Sequence, residues 1–245
     1  MFAILRLVYE HYLLIKSCTE SFDFISFNHH MPNYPWERPT MDDFLREAEE
    51  KFSNLFNLDI AQITDAIQSA CAFFGLSYPN MVLNLSRQPK GGTMVYNMDS
   101  STDADDILCY DLNQLMALGI TNKDSFSLIM THECAHRYFQ SYTFPGLNNG
   151  QWEQELACDF CMGARAALEH MNIEKVVRGL GRTQGADTHP DGDLRAEAIT
   201  GGYNVMQYFL QNDIAPSVEN CMRGFNDFRA TYEPTIFARE QRFCR

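Results

Sequence analysis

The chain contains no apolar run approaching the roughly 18–20 uncharged residues of a membrane span. Its most apolar stretch, residues 1–15, is interrupted by Arg6, Glu10 and His11. That stretch also lacks a basic segment followed by a small-residue cleavage site, so no secretory signal peptide is expected. It reads as a short buried helix or strand, or as leader sequence ahead of a later start at Met31 or Met41. Positive charge is scarce as well: 19 Lys and Arg stand against 32 Asp and Glu, a net charge of −13. A balance of that sign argues against nucleic acid as a partner, which would need a basic face, and against an anionic membrane surface. Internal repeats, low-complexity tracts and a convincing linker are all missing. The eight cysteines follow no framework spacing, and several fall within apolar helical patterns where a free thiol packs as a small hydrophobe. A reduced, cytoplasmic location is therefore expected. The one close pair, Cys158-Asp159-Phe160-Cys161, has no second Cys pair or Cys–His pair to complete a metal or redox site, so it reads as helix packing.

What is present fits one sizeable globular domain: 245 residues, of which 45% are hydrophobic. Residues 1–40 form an N-terminal arm or leader with a Pro-rich stretch after Asn28-His29-His30, and residues 41–245 form the domain. Apolar residues at spacings of three and four predict a helix from Met41, and a second from Asp59, whose cap is supported by Gln62 three residues on. Its stripe is Ile60, Ile63, Ile67, Ala70 and Phe74, and Gly75 stops it. Residues 81–85, 93–98 and 107–110 are short and rich in Val, Ile, Leu and Tyr, which predicts a small antiparallel sheet with a turn at Lys90-Gly91-Gly92. Helices are predicted again over 111–118, then from Asn122 or Asp124, over 152–171, 194–210 and 217–229, with loops at 143–150 and 181–193. The expected class is α+β, mostly helical, with the small sheet preceding the helix that starts near Asn122.

That helix carries His132-Glu133-Cys134-Ala135-His136, an H-E-x-x-H pattern. Positions four apart share a helix face, one turn above the other. Two imidazoles so placed can grip one Zn²⁺, with Glu133 beside the open position to take a proton from water there. Cys134, two residues from His132, points away from that face. Catalytic zinc generally takes a third protein ligand. Glu153-Gln154-Glu155-Leu156-Ala157-Cys158-Asp159 supplies candidates at the start of the next helix, after a chain reversal. Glu155 and Asp159 are four apart and share a face, so one can bind metal while the other accepts a hydrogen bond from a ligand imidazole. Glu153 lies about 200° around the helix from Glu155 and is expected to face solvent. Read simply as chemistry, these acids are otherwise an exposed face; the motif upstream favours Glu155 as ligand.

At these residues the chain resembles the gluzincin zinc metallopeptidases, most closely the CAAX prenyl endopeptidase-like branch and the bacterial neutral zinc peptidases. Downstream, Thr188-His189-Pro190-Asp191-Gly192-Asp193-Leu194-Arg195 is similar to the family's His-Pro…Arg segment. The resemblance covers roughly residues 131–203. It implies a zincin-like fold, His132, His136 and Glu155 as ligands of one Zn²⁺, Glu133 as base, Asp159 behind a ligand imidazole, and His189 and Arg195 as catalytic-site residues near the bound substrate. The family usually has Ala immediately before that Asp, where this chain has Cys158, and the membrane spans of the prenyl-protease members are missing here. Their substrates are therefore not carried over.

The expected function is that of a soluble endopeptidase acting on peptide or protein substrates, with Glu133 as general base. The alternative is a catalytically silent zincin-like binding or regulatory protein whose metal site is closed or plugged. His189 bears on that choice, since an imidazole there can donate to an oxyanion, occupy a fourth metal position, or simply mark the turn into the next helix. Gly181 and Gly185 give its loop freedom, and Pro190 fixes the backbone just after it. His170 reads as a cation near a helix C-terminus. Tyr203 is one possible oxyanion donor among 11 tyrosines.

Overall fold

The computed structural model describes residues 58–85, 95–97, 107–141 and 150–243. The expected N-terminal arm, the helix from Met41 and the Lys90-Gly91-Gly92 turn lie outside them. The described residues are mostly helical with one small sheet. In order, the elements are α1 (Ile60–Phe73), β1 (Met81–Asn84), β2 (Val95–Asn97), β3 (Ile107–Tyr110), α2 (Leu112–Ala117), α3 (Lys123–Ser141), α4 (Gln151–Leu168), α5 (Glu174–Leu180), α6 (Gly192–Gln211) and α7 (Val218–Glu240). Among the described residues no helix is long and apolar enough to cross a membrane.

Local chemistry accounts for several helix ends. Asp59 and Gln62 form the reciprocal cap of α1, with Gln62 N donating to Asp59 Oδ1 at 2.7 Å and Asp59 N to Gln62 Oε1 at 3.0 Å. Asn122, rather than Asp124, caps α3: its Oδ1 accepts from Ser125 N at 2.9 Å. Gly75 and Gly119 sit at φ +66° and +76°, the left-handed conformation that ends α1 and α2 at little steric cost. The same position after α4 is filled by His170, at φ 56°.

The sheet departs from expectation. Its order is β1-β3-β2, with β1 parallel to β3 (Met81↔Ile107 to Asn84↔Tyr110) and only β2 antiparallel to it (Val95↔Cys109). β1 and β2, the strands on either side of the expected turn, are therefore not neighbours; β3 lies between them. Short apolar runs look alike in either pairing, and the stretch between β1 and β3 is long enough for the crossover a parallel pair requires. Two helical features also exceed the expected pattern. Residues Glu174–Leu180 form α5, and α7 continues beyond Arg229, through Pro234, to Glu240. Pro234 removes only the bond to Ala230 O, and Ile236 beyond it is buried, so packing holds the last turns.

α4 is the central element. Every residue from Glu155 to Ala167 is buried, with α3, α6 and α7 packed around it. The approach to α6 is unusually close, because a Cβ on Gly163 would meet Ile199 O at 1.9 Å and one on Gly202 would meet Phe160 O at 1.9 Å. Gly202 thus costs helix propensity but brings two backbones together. This contact sets Arg195, on the first turn of α6, over Asp159 on α4.

Candidate metal centre

α3 presents His132 and His136 on one face, with ring centroids 4.8 Å apart. The preceding turns bury Phe126, Ile129 and Met130, which fixes that face toward α4 rather than toward solvent. α4 answers with Glu155. The two Nε2 atoms are 3.1 Å apart, His132 Nε2 lies 3.2 Å from Glu155 Oε2, and His136 Nε2 lies 3.2 Å from Glu155 Oε1. A tetrahedral zinc with ligands near 2.05 Å has ligand–ligand edges of about 3.3 Å. The three side chains already form a triangle of nearly that size, so they could hold such an ion.

Two further observations fit a cation at that point. Glu155 Oε2 is buried and has no hydrogen-bond partner, a state that normally costs free energy unless something completes it. His132 Nδ1 lies 2.8 Å from Asp159 Oδ1; with Nδ1 donating there, the neutral imidazole keeps a lone pair on Nε2 toward Glu155, the form a metal ligand takes. The field at His132 also favours positive charge. Burial opposes its protonation, yet the Asp159 and Glu155 carboxylates push its pKa up to about 10.

Asp159 is fixed from its other side. Arg195 donates from Nε to Oδ2 at 2.7 Å and from Nη2 to Oδ1 at 2.9 Å, a two-pronged pair with no exposure on the acid. Burial would raise the Asp159 pKa, but Arg195 and then His132 hold it below the usual carboxylate range. Glu155 is likewise held low against burial, by the nearby His132 and His136 imidazoles. Glu133, 6% exposed, follows His132 by 100° around α3 and so flanks the ligand face. Cys134 points the opposite way and meets Cys71 of α1, Sγ to Sγ 3.6 Å. Cys158 and Cys161 are both buried among core side chains.

His189 comes to the same place from the loop before α6, with Nε2 3.6 Å from Glu155 Oε2 and Nδ1 2.8 Å from Thr188 Oγ1. The loop is not the freely hinged segment its glycines suggest. Trp152, fully buried one turn before Glu155, donates Nε1–H to Ala186 O at 2.9 Å, and Ala186 N donates to His189 O at 2.8 Å. Asp191 accepts from Gly185 N and is itself held by Arg239 and Arg242 of the α7 end. Gly181, at φ −60°, merely continues a helical turn. Trp152, Glu155 and Asp159 recur at intervals of three and four, so the latch was encoded on the same helix face as the candidate ligand; nothing in the composition distinguishes such a Trp from ordinary core.

Glu153 corrects another expectation. It does not face solvent: its carboxylate is 12% exposed, with Oε2 4.0 Å from Arg229 Nη1 on α7. α7 covers that side of α4, which helix periodicity within α4 alone does not reveal. Arg195 binds Asp159 and is itself buried, and Tyr203 lies on the packed part of α6. No family model, curated protein or solved structure in the comparisons matches this chain.

Proposed function

We propose that the chain is a zinc-dependent endopeptidase of gluzincin type, hydrolysing peptide bonds in a zincin-like fold. The observation that carries this reading is the triangle of His132, His136 and Glu155 with an unpartnered buried carboxylate oxygen, beside a glutamate that metal binding alone does not require. Zinc held by those three would supply Lewis acidity, polarising a carbonyl and making water acidic near neutral pH.

The chain's own residues would divide the remaining work. Glu133 takes the proton of the attacking water and returns it to the leaving amine. Asp159 holds the His132 imidazole in the tautomer that leaves Nε2 free, and Arg195 keeps Asp159 ionised and oriented. β2 packs along α3, which supports docking of an extended peptide as an added strand near the site. His189, whose Nε2 lies 3.6 Å from Glu155 Oε2, would be the donor to an oxyanion formed there.

The same histidine supports a second reading, a silent zincin-like protein with a plugged site, since its loop is latched by Trp152 and Asp191 with Nε2 already turned to Glu155. Metal analysis and a peptide-library cleavage assay of the wild type and Glu133→Gln test both. About one zinc per chain is expected, with cleavage that falls roughly 10²–10⁴-fold in Glu133→Gln while zinc stays bound. Zinc without cleavage in either protein supports the silent reading, and a wild type that takes up no zinc refutes both.

A further inference from the structure

Acids outnumber bases by 32 to 19 in this chain, so a cation without a carboxylate neighbour stands out. Among the described residues, Lys123, Arg165, Arg195, Arg223, Arg229, Arg239 and Arg242 each lie within 4.0 Å of an Asp or Glu oxygen. Arg137 is engaged too. The exceptions are Lys175, Arg178 and Arg182, and all three line one cavity of about 430 Å³ between α5 and the end of α2. Lys175 Nζ reaches only the Thr121 hydroxyl, at 3.3 Å. The guanidinium groups of Arg178 and Arg182 have no partner among the described residues, although Glu174 stands one helical turn before Arg178.

Folding does not account for the cluster. Lys175 and Arg178, three residues apart on α5, repel one another and lower helix stability, and Arg182 adds a third like charge just past the helix end. Only Arg178, in the last turn of α5, gains from the helix dipole. The opposite wall is apolar, formed by Met116, Ala117 and Leu118. The volume falls within the ~300–1,000 Å³ typical of small-molecule sites.

We propose that this cavity binds a small phosphate ester, its phosphate held by Lys175, Arg178 and Arg182 and its organic part laid against Met116, Ala117 and Leu118. Two guanidinium forks and an ammonium match a dianion with three terminal oxygens, whereas a single carboxylate would leave a cation unmatched. The site is separate from the candidate metal centre, whose ligands do not line it.

Ligand-observed NMR titration of the full chain with phenyl phosphate and with inorganic phosphate tests it. Phenyl phosphate should bind severalfold more tightly than inorganic phosphate, and a chelator should leave its binding unchanged. Arg178→Glu with Arg182→Glu should weaken binding about tenfold or more, as loss of charge-assisted hydrogen bonds predicts. Arg178→Gln with Arg182→Gln should do the same if charge reversal disturbs folding. The proposal is overturned if the wild type shows no binding at millimolar phenyl phosphate, or if both arginine variants bind as the wild type does. It is equally overturned if the chelator abolishes binding, which would place the phosphate at the metal centre. Equal affinity for the two phosphates would overturn the ester as ligand.

Discussion

Two polar clusters are buried along the α3–α4 contact, and they are completed in different ways. In one, Arg165 uses all five of its N–H donors: Nε and Nη2 on Glu169, Nη1 on Thr131 Oγ1 and Ser127 O, Nη2 on Ser69 Oγ. It joins α1, α3 and α4 and leaves nothing over. The other cluster begins one residue after Thr131. There His132, His136 and Glu155 converge, and Glu155 Oε2 is left without a hydrogen bond; of the buried side-chain atoms in the described residues, Arg229 Nη1 is the other so left. A buried polar group that is fully satisfied organises helices. One whose side chains converge on a common point, with a buried oxygen left unpartnered, could hold a cation there.

The comparison is broken most directly by exchanging its outcomes. His136→Ala should all but abolish zinc binding, because two remaining ligands cannot hold the ion against water, while the metal-free protein keeps most of its stability. Metal content by atomic emission, with urea unfolding in parallel, checks this. Full zinc occupancy in His136→Ala would remove the distinction between the clusters. Arg165→Met should do the reverse. Its folded fraction should bind zinc as the wild type does, but stability should fall by about 3–5 kcal/mol, the cost of breaking a buried charged network. If Arg165→Met lost zinc at unchanged stability, the closed cluster would belong to the site.

The open cluster was legible in the sequence and the closed one was not, for a physical reason. His132, His136, Glu155 and Asp159 are encoded by helical spacing within two short segments, and spacing survives folding. The same is true of the Asp59–Gln62 cap and the buried flank of Phe126, Ile129 and Met130. Arg165 meets Ser69 and Thr131 across separations of 96 and 34 residues, which no local period records. Its local signals are Glu169 four residues on, at helical pairing distance, and its setting: a cation among the small, apolar residues Gly163, Ala164, Ala166 and Ala167 is rarely buried unless paired. The parallel β1–β3 pair and the cover of α7 over Glu153 are non-local in the same sense.

Asp159 sharpens the comparison because it serves the open cluster with the completeness of the closed one. Asp159→Asn should lower zinc affinity about 10–100-fold, since a neutral amide cannot accept equally from His132 Nδ1 and Arg195. Acid should act in the same direction. The folded Asp159 carboxyl titrates below its unfolded value of about 3.9. It therefore contributes stability above that pH, which is lost as pH falls through the folded value. Urea unfolding of the metal-free protein between pH 7 and pH 3 should show less acid destabilisation in Asp159→Asn than in the wild type. An equal loss in both would assign the acid response to other carboxylates.

The smallest effect should come from Glu153→Gln. Glu153 is two residues from Glu155 on the same helix, also acidic and also largely buried, so composition alone would give it equal standing as a ligand. Geometry separates them: two residues turn the side chain about 200°, toward Arg229 on α7 instead of the histidines on α3. At 4.0 Å that ion pair is too long for a hydrogen bond, and glutamine keeps the shape of the glutamate side chain. Glu153→Gln should therefore leave zinc stoichiometry and affinity untouched, as zinc titration with a competing chromophoric chelator would read. A measurable fall in zinc affinity would mean that the metal responds to the acidity of this helix as a whole. The register of Glu155 against His132 and His136 would then no longer be what distinguishes the open cluster from the closed one.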